Sequence, residues 1–147
     1  MKIDISTSVR IVWMIANAEA SAAGSETIQP VHFFLGVLKI IDPKFAENLK
    51  DLELPDDEKQ SIFKDAKNVR RYLEIQDDDV TKYRRKVRAS LKKKETRKAD
   101  NQMLHRSEVS RHVFEVAVEK AVKAGQPKVS LSYLIEALFE TGAVQFR

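Results

Sequence analysis

AAGSETIQPVHFFLGVL, residues 22–38, and KAGQPKVSLSYLIEALF, residues 123–139, stand 101 positions apart and follow one pattern. Each begins on the last turn of an alanine-striped segment, stops at a glycine, and crosses a short polar link into a strongly apolar run. Upstream of the first stretch, Val9, Val12, Trp13, Ala16, Ala20 and Ala23 recur at helical spacing. Ser6, Thr7 and Ser8 place hydroxyls where an N-cap belongs. Gly24 falls where a helix takes a left-handed C′ residue. Pro30 suits the first turn of the next helix, whose apolar face is Phe33, Phe34, Val37, Leu38 and Ile41.

The second stretch repeats these features. Ser107 is placed to cap a helix striped by Val113, Phe114, Ala117, Ala121 and Ala124. Gly125 ends it, and Ser130 is expected to cap a helix carrying Leu134, Ile135, Leu138 and Phe139. At the 101-residue offset Ser6/Ser107, Arg10/Arg111, Ala16/Ala117, Ala20/Ala121, Ala23/Ala124 and Gly24/Gly125 are identical. Trp13/Phe114, Ile28/Val129, Phe33/Leu134 and Phe34/Ile135 are apolar exchanges. Each helical hairpin has an apolar face that it cannot cover alone but that its counterpart can. The pattern therefore predicts an all-α fold, a pseudo-twofold tandem helical repeat.

Between the hairpins, Asp42, Pro43 and Lys44 open a short helix expected to reach about Leu52. Ile62, Phe63, Ala66, Val69 and Leu73 predict a helix over 58–75. QDDDV supplies an acidic helix start, followed by a basic helix over 80–98 with the stripe Val80, Tyr83, Val87 and Leu91. Residues 99–106 read as linker. About seven helices and no strand are expected within a single domain, 1–147. Residues 1–75 form the first repeat, 76–106 a charged insertion with its linker, and 107–147 a second repeat that stops short.

Of the 147 residues, 43% are hydrophobic, enough for a packed core, and few are glycine or proline, as suits helices. Cysteine is absent, which excludes disulfides, thiol nucleophiles and thiolate metal sites. Apolar runs fall short of the ~20 residues that span a bilayer, and the N-terminus lacks an apolar signal core. A soluble, cytoplasmic, monomeric domain without a membrane partner is expected. The net charge of +4 is concentrated: residues 82–98 hold ten Lys/Arg and one Glu. Lys82, Arg84, Arg85, Lys86, Arg88, Lys92, Lys93 and Lys94 form a candidate basic patch for nucleic-acid phosphates or an acidic partner, or else a solvated helix face.

No GxxxxGK[ST] loop is present, so nucleotide phosphates have no P-loop cradle. None of His32, His105 and His112 lies three or four residues from another. The carboxylates of DLELPDDE and EIQDDD read as helix starts rather than acid–base pairs. The chain is expected to be non-catalytic, with no metal and no cofactor of its own.

From MKIDISTSV into AAGSETIQPVHFFLGVL, the sequence resembles the N-terminal repeat domain of Clp-type AAA+ ATPases, over residues 1–75 and about 107–141. The first copy carries Ile28, Gln29, Pro30, Val31, His32, Phe33 and Phe34, and the second Val129, Ser130, Leu131, Ser132, Tyr133, Leu134 and Ile135. The chain departs from that family in the charged passage between the copies. It departs again at Val31 and Ser132, where many members have a glutamate, used in some of them to hold modified arginine side chains. The resemblance implies a substrate- or adaptor-recognition module that passes adaptor proteins or unfolded polypeptides to ATP-driven rings, with ATP and Mg confined to a downstream ATPase module. It also implies an inter-repeat groove, for which Thr7, Val31, His32, Ser132 and Tyr133 are the candidate contacts. The alternatives are a nucleic-acid-associated helical protein using 82–98 and a stand-alone regulator.

Overall fold

The computed structural model describes residues 4–91 and 103–145; Lys92, Lys93, Lys94 and the first part of the expected linker lie outside them. The described residues form seven helices: α1 Thr7–Ala22, α2 Pro30–Ile40, α3 Pro43–Leu49, α4 Asp56–Leu73, α5 Asp77–Ala89, α6 Glu108–Lys123 and α7 Leu131–Glu140. The fold is all-α, as expected.

The start and stop signals act locally, which is why they were readable. Ser6 accepts a hydrogen bond from the Val9 amide at 3.2 Å, and Ser107 accepts one from the Ser110 amide at 3.1 Å. At the far ends Gly24 and Gly125 adopt φ of 71° and 68°. In this region a side chain would crowd the backbone. Asp42 caps α3 through the Lys44 amide, and three aspartates sit in the first turn of α5.

Four details differ from the sequence-based expectation. Ser130 holds the N-cap position of α7, but its side chain makes no capping bond. α3 ends at Leu49 rather than near Leu52, and α5 gives way to a turn at Ser90. Strands are also present: β1, Asp4–Ile5, pairs in parallel with β2, Lys128–Val129. Two residues are too short to show the alternation that marks a strand in sequence.

Those pairings link the hairpins reciprocally. Ile5 registers with Val129, and Ile28 forms a parallel bridge with Arg106. The Ser6 amide donates to the Val129 carbonyl at 3.0 Å, while the Ser107 amide donates to the Ile28 carbonyl at 3.1 Å. Each member of one contact lies 101 residues from a member of the other. Buried Ser110 adds a second donor to the Ile28 carbonyl.

α1 packs on α2 and α6 on α7, and α4 crosses to cover both α7 and α1. Val12, Ala16, Phe33, Leu38, Ala117, Leu134 and Leu138 belong to one buried core. α1 and α2 approach closely at Gly36, where an added Cβ would lie 2.7 Å from the Val12 carbonyl oxygen. Gly36→Ala is expected to cost about 1–3 kcal/mol through overpacking, although alanine is the better helix former by ~1 kcal/mol. Urea unfolding followed by circular dichroism measures this, and an unchanged or raised midpoint contradicts the close crossing.

Candidate functional site

An open pocket of about 590 Å³ lies where the start of α1 meets the segment leading into α6. Arg10, Trp13 and Met14 fall at i, i+3 and i+4 on α1 and so share one helix face. Residues 103–106 form the opposite wall and Arg111, on the first turn of α6, contributes to the rim. The opposite wall is pinned in place: the Leu104 amide donates to Asn17 Oδ1 at 2.8 Å, and the His105 carbonyl accepts from the Ile28 amide at 2.9 Å.

Beside the pocket three rings pack together, Phe33 edge-on to both Trp13 and Phe114, and Trp13 tilted against Phe114. The Trp13–Phe33 centroids are 5.7 Å apart, while Trp13–Phe114 and Phe33–Phe114 are each 5.0 Å apart. The Arg106 guanidinium sits 4.7 Å from the Trp13 ring centre and 5.1 Å from that of Phe114, within cation–π reach. Burial, and then the neighbouring Arg111 charge, push the Arg106 pKa below its ordinary value, and the residue remains a cation. Met14 and Met103 remain 65% and 58% exposed at the mouth. Large apolar side chains gathered beside a concave surface are a feature of interaction sites.

None of the five groove residues expected from the resemblance lines this pocket. Thr7 is the first residue of α1, one place after the cap, with its hydroxyl 3.5 Å from Glu58 on α4. Val31 lines a different depression with Phe34, Tyr83 and Val87, beside the C-terminal Ala143 and Val144. His32 is a buried capping residue rather than a surface contact: its Nδ1 accepts from the Gln29 amide at 2.9 Å. Ser132 and Tyr133 are half-buried on the first turn of α7, with Tyr133 packed against the core. Of these five, Val31 lines the second of these depressions and the other four line neither.

The basic patch is partly committed to internal tethers. Arg84 approaches buried Asp42 at 3.8 Å, and Thr81 donates to the same carboxylate at 2.5 Å. Arg88 forms a paired hydrogen bond with Glu19 on α1. Lys82, Arg85 and Lys86 are exposed. Two of the five described basic residues thus fasten α5 to the fold.

Among the described residues no group of three or more His, Cys, Asp or Glu could hold a metal ion, and no helix is long and apolar enough to cross a membrane. Comparison with protein-family models finds none that matches the chain, and comparison with curated proteins finds no match.

Sequence reasoning missed Arg10, Met14, Met103, Leu104, His105, Arg106 and Arg111 as pocket residues. Two signals pointed toward them. Met14 is a large apolar residue beside Trp13 and off the alanine stripe, and Arg106 occupies the position 101 residues after apolar Ile5.

His32 yields a pH prediction. Burial lowers its pKa from the ordinary histidine value, and Nδ1 must stay unprotonated to accept from Gln29. The unfolded chain therefore takes up the proton first as pH falls below ~6.5, and stability drops through that range until the folded state also protonates. The melting temperature should fall between pH 7 and pH 5, and fall less in His32→Gln. Equal falls in the two proteins would show that His32 does not carry the effect.

Proposed function

We propose that this chain is a non-catalytic protein-recognition module of the kind found at the N-terminus of Clp-type AAA+ ATPases, in the cytoplasm, binding unfolded polypeptide segments or adaptor proteins. The observation that carries the reading is the open pocket lined by Trp13, with two exposed methionines at its mouth, between the two hairpins. Methionine is unbranched and polarizable, so it fits varied apolar partners without demanding one shape. Such a surface suits modest, exchangeable binding, which a client that must be handed onward requires.

The reciprocal pairing of Ile5 with Val129 and Ile28 with Arg106 supports treating the hairpins as duplicated units about a near-dyad. In that reading α5 is an inserted element, which Asp42 and Glu19 hold against the first unit. The nucleic-acid alternative has less support, because Arg84 and Arg88 are paired with Asp42 and Glu19 of the same chain.

Met14→Ser combined with Met103→Ser removes both apolar groups at the mouth. Each fully buried methionine contributes about 1.5–3 kcal/mol, so binding of a carboxymethylated, permanently unfolded polypeptide should weaken at least tenfold, the equivalent of ~1.4 kcal/mol. The melting temperature should hold, because both side chains are more than half exposed. Wild-type affinity in the double variant overturns the assignment of this pocket.

A further inference from the structure

The pocket is not electrically neutral. Its lining contains three guanidinium groups, from Arg10, Arg106 and Arg111, together with His105, and no carboxylate. Two acids stand near without lining it. Asp4 pairs with Arg10 at 3.1 Å, both side chains being more than half exposed, and a pair so open to water is weak and exchangeable. Glu115 acts on Arg106 from a distance and lies 3.6 Å from His112, with its side chain 74% exposed. Arg111 forms no ion pair among the described residues. Arg106 is fixed over Trp13 and Phe114 with the like charge of Arg111 close by. An incoming anion relieves that repulsion and finds an oriented fork with which to hydrogen-bond.

We propose that the occupant is an extended polypeptide segment with carboxylates flanking a large apolar side chain. The apolar group would enter between Met14, Met103 and Trp13, and the carboxylates would meet Arg106 and Arg111. This rests on the docking reading above and adds the chemistry of the partner. Charge complementarity sets the selection, because a basic segment would face Arg106 and Arg111 with no carboxylate in the lining to offset them. The chain's own 92–98 stretch, KKKETRK, is of the disfavoured sign. A second copy offers DLELPDDE, residues 51–58, and EIQDDD, residues 74–79, but Leu54 and Ile75 are packed against its own core and Leu52 alone of their large apolar side chains is exposed.

Trp13 is the sole tryptophan and lines the pocket, so its emission reports occupancy directly. The probes are three tryptophan-free peptides, EELFEE, QQLFQQ and KKLFKK, titrated at low salt. EELFEE should shift Trp13 emission and bind about tenfold more tightly than QQLFQQ, while KKLFKK should bind weakest. Raising salt should narrow the differences. Arg111→Gln should reduce the preference for EELFEE over QQLFQQ severalfold, and this exposed residue can be replaced without disturbing the core.

Equal binding of EELFEE and QQLFQQ overturns the charge selection while leaving the docking reading intact. No binding of any peptide, together with no binding of the unfolded polypeptide, overturns both. Sedimentation of the chain alone supplies the remaining outcome. A salt-sensitive dimer that EELFEE dissociates would make a second copy the occupant and overturn the proposal.

Discussion

Two short parallel pairings, Ile5 with Val129 and Ile28 with Arg106, lock the helical hairpins together. In each, the link that follows one hairpin's glycine turn pairs with the residues that precede the other hairpin's long helix. Backbone amides that would otherwise be buried unpaired beside the core thus find carbonyls across the interface rather than within their own hairpin. The constraint is mutual: Ser6 caps α1 while its amide reaches Val129, and Ser107 caps α6 while its amide reaches Ile28. Helix starts and interface are therefore fixed by the same residues, and neither hairpin has a complete core without the other.

The pocket is a consequence of that arrangement. With 103–107 held on one side by Asn17 and on the other by Ile28, Arg106 has little choice but to lie over Trp13 and Phe114. Side chains at corresponding places in the two hairpins, Arg10 with Arg111 and Trp13 with Phe114, meet near one cavity because the pairing brings both helix starts together. α5 stands apart from this logic. Its narrow stripe packs against α2, with Tyr83 set edge-on to Phe34, and Asp42 and Glu19 draw two of its arginines inward. Two of the five described basic residues of the charge run thus position a helix.

Helices, caps and glycine stops were legible because each depends on residues within one or two turns of itself, as at Ser6, Gly24, Pro30 and Ser107. The strands were not, because a two-residue pairing is defined only by its distant partner. The candidate site was not legible as a site: Trp13 and Phe114 stand out in the sequence as corresponding aromatics, but they read as core residues. Its rim combines residues from three separated stretches, and nothing local marks Met103 or Arg111 as neighbours of Met14. His32, a candidate groove contact that also reads as a helix-start or packing residue, sits three residues past Gln29, the spacing at which a side chain reaches back to cap a helix. There the local hydrogen bond outweighs surface display.

Native-state hydrogen exchange at the crossing amides tests the central claim most directly. If the reciprocal pairing holds the two hairpins as one cooperative unit, the amides of Ser6, Ile28 and Ser107 exchange only through global opening, with the protection of core amides such as Val12 and Ala117. If these three exchange orders of magnitude faster than the helix cores, the hairpins open independently and the shared cleft has no fixed geometry.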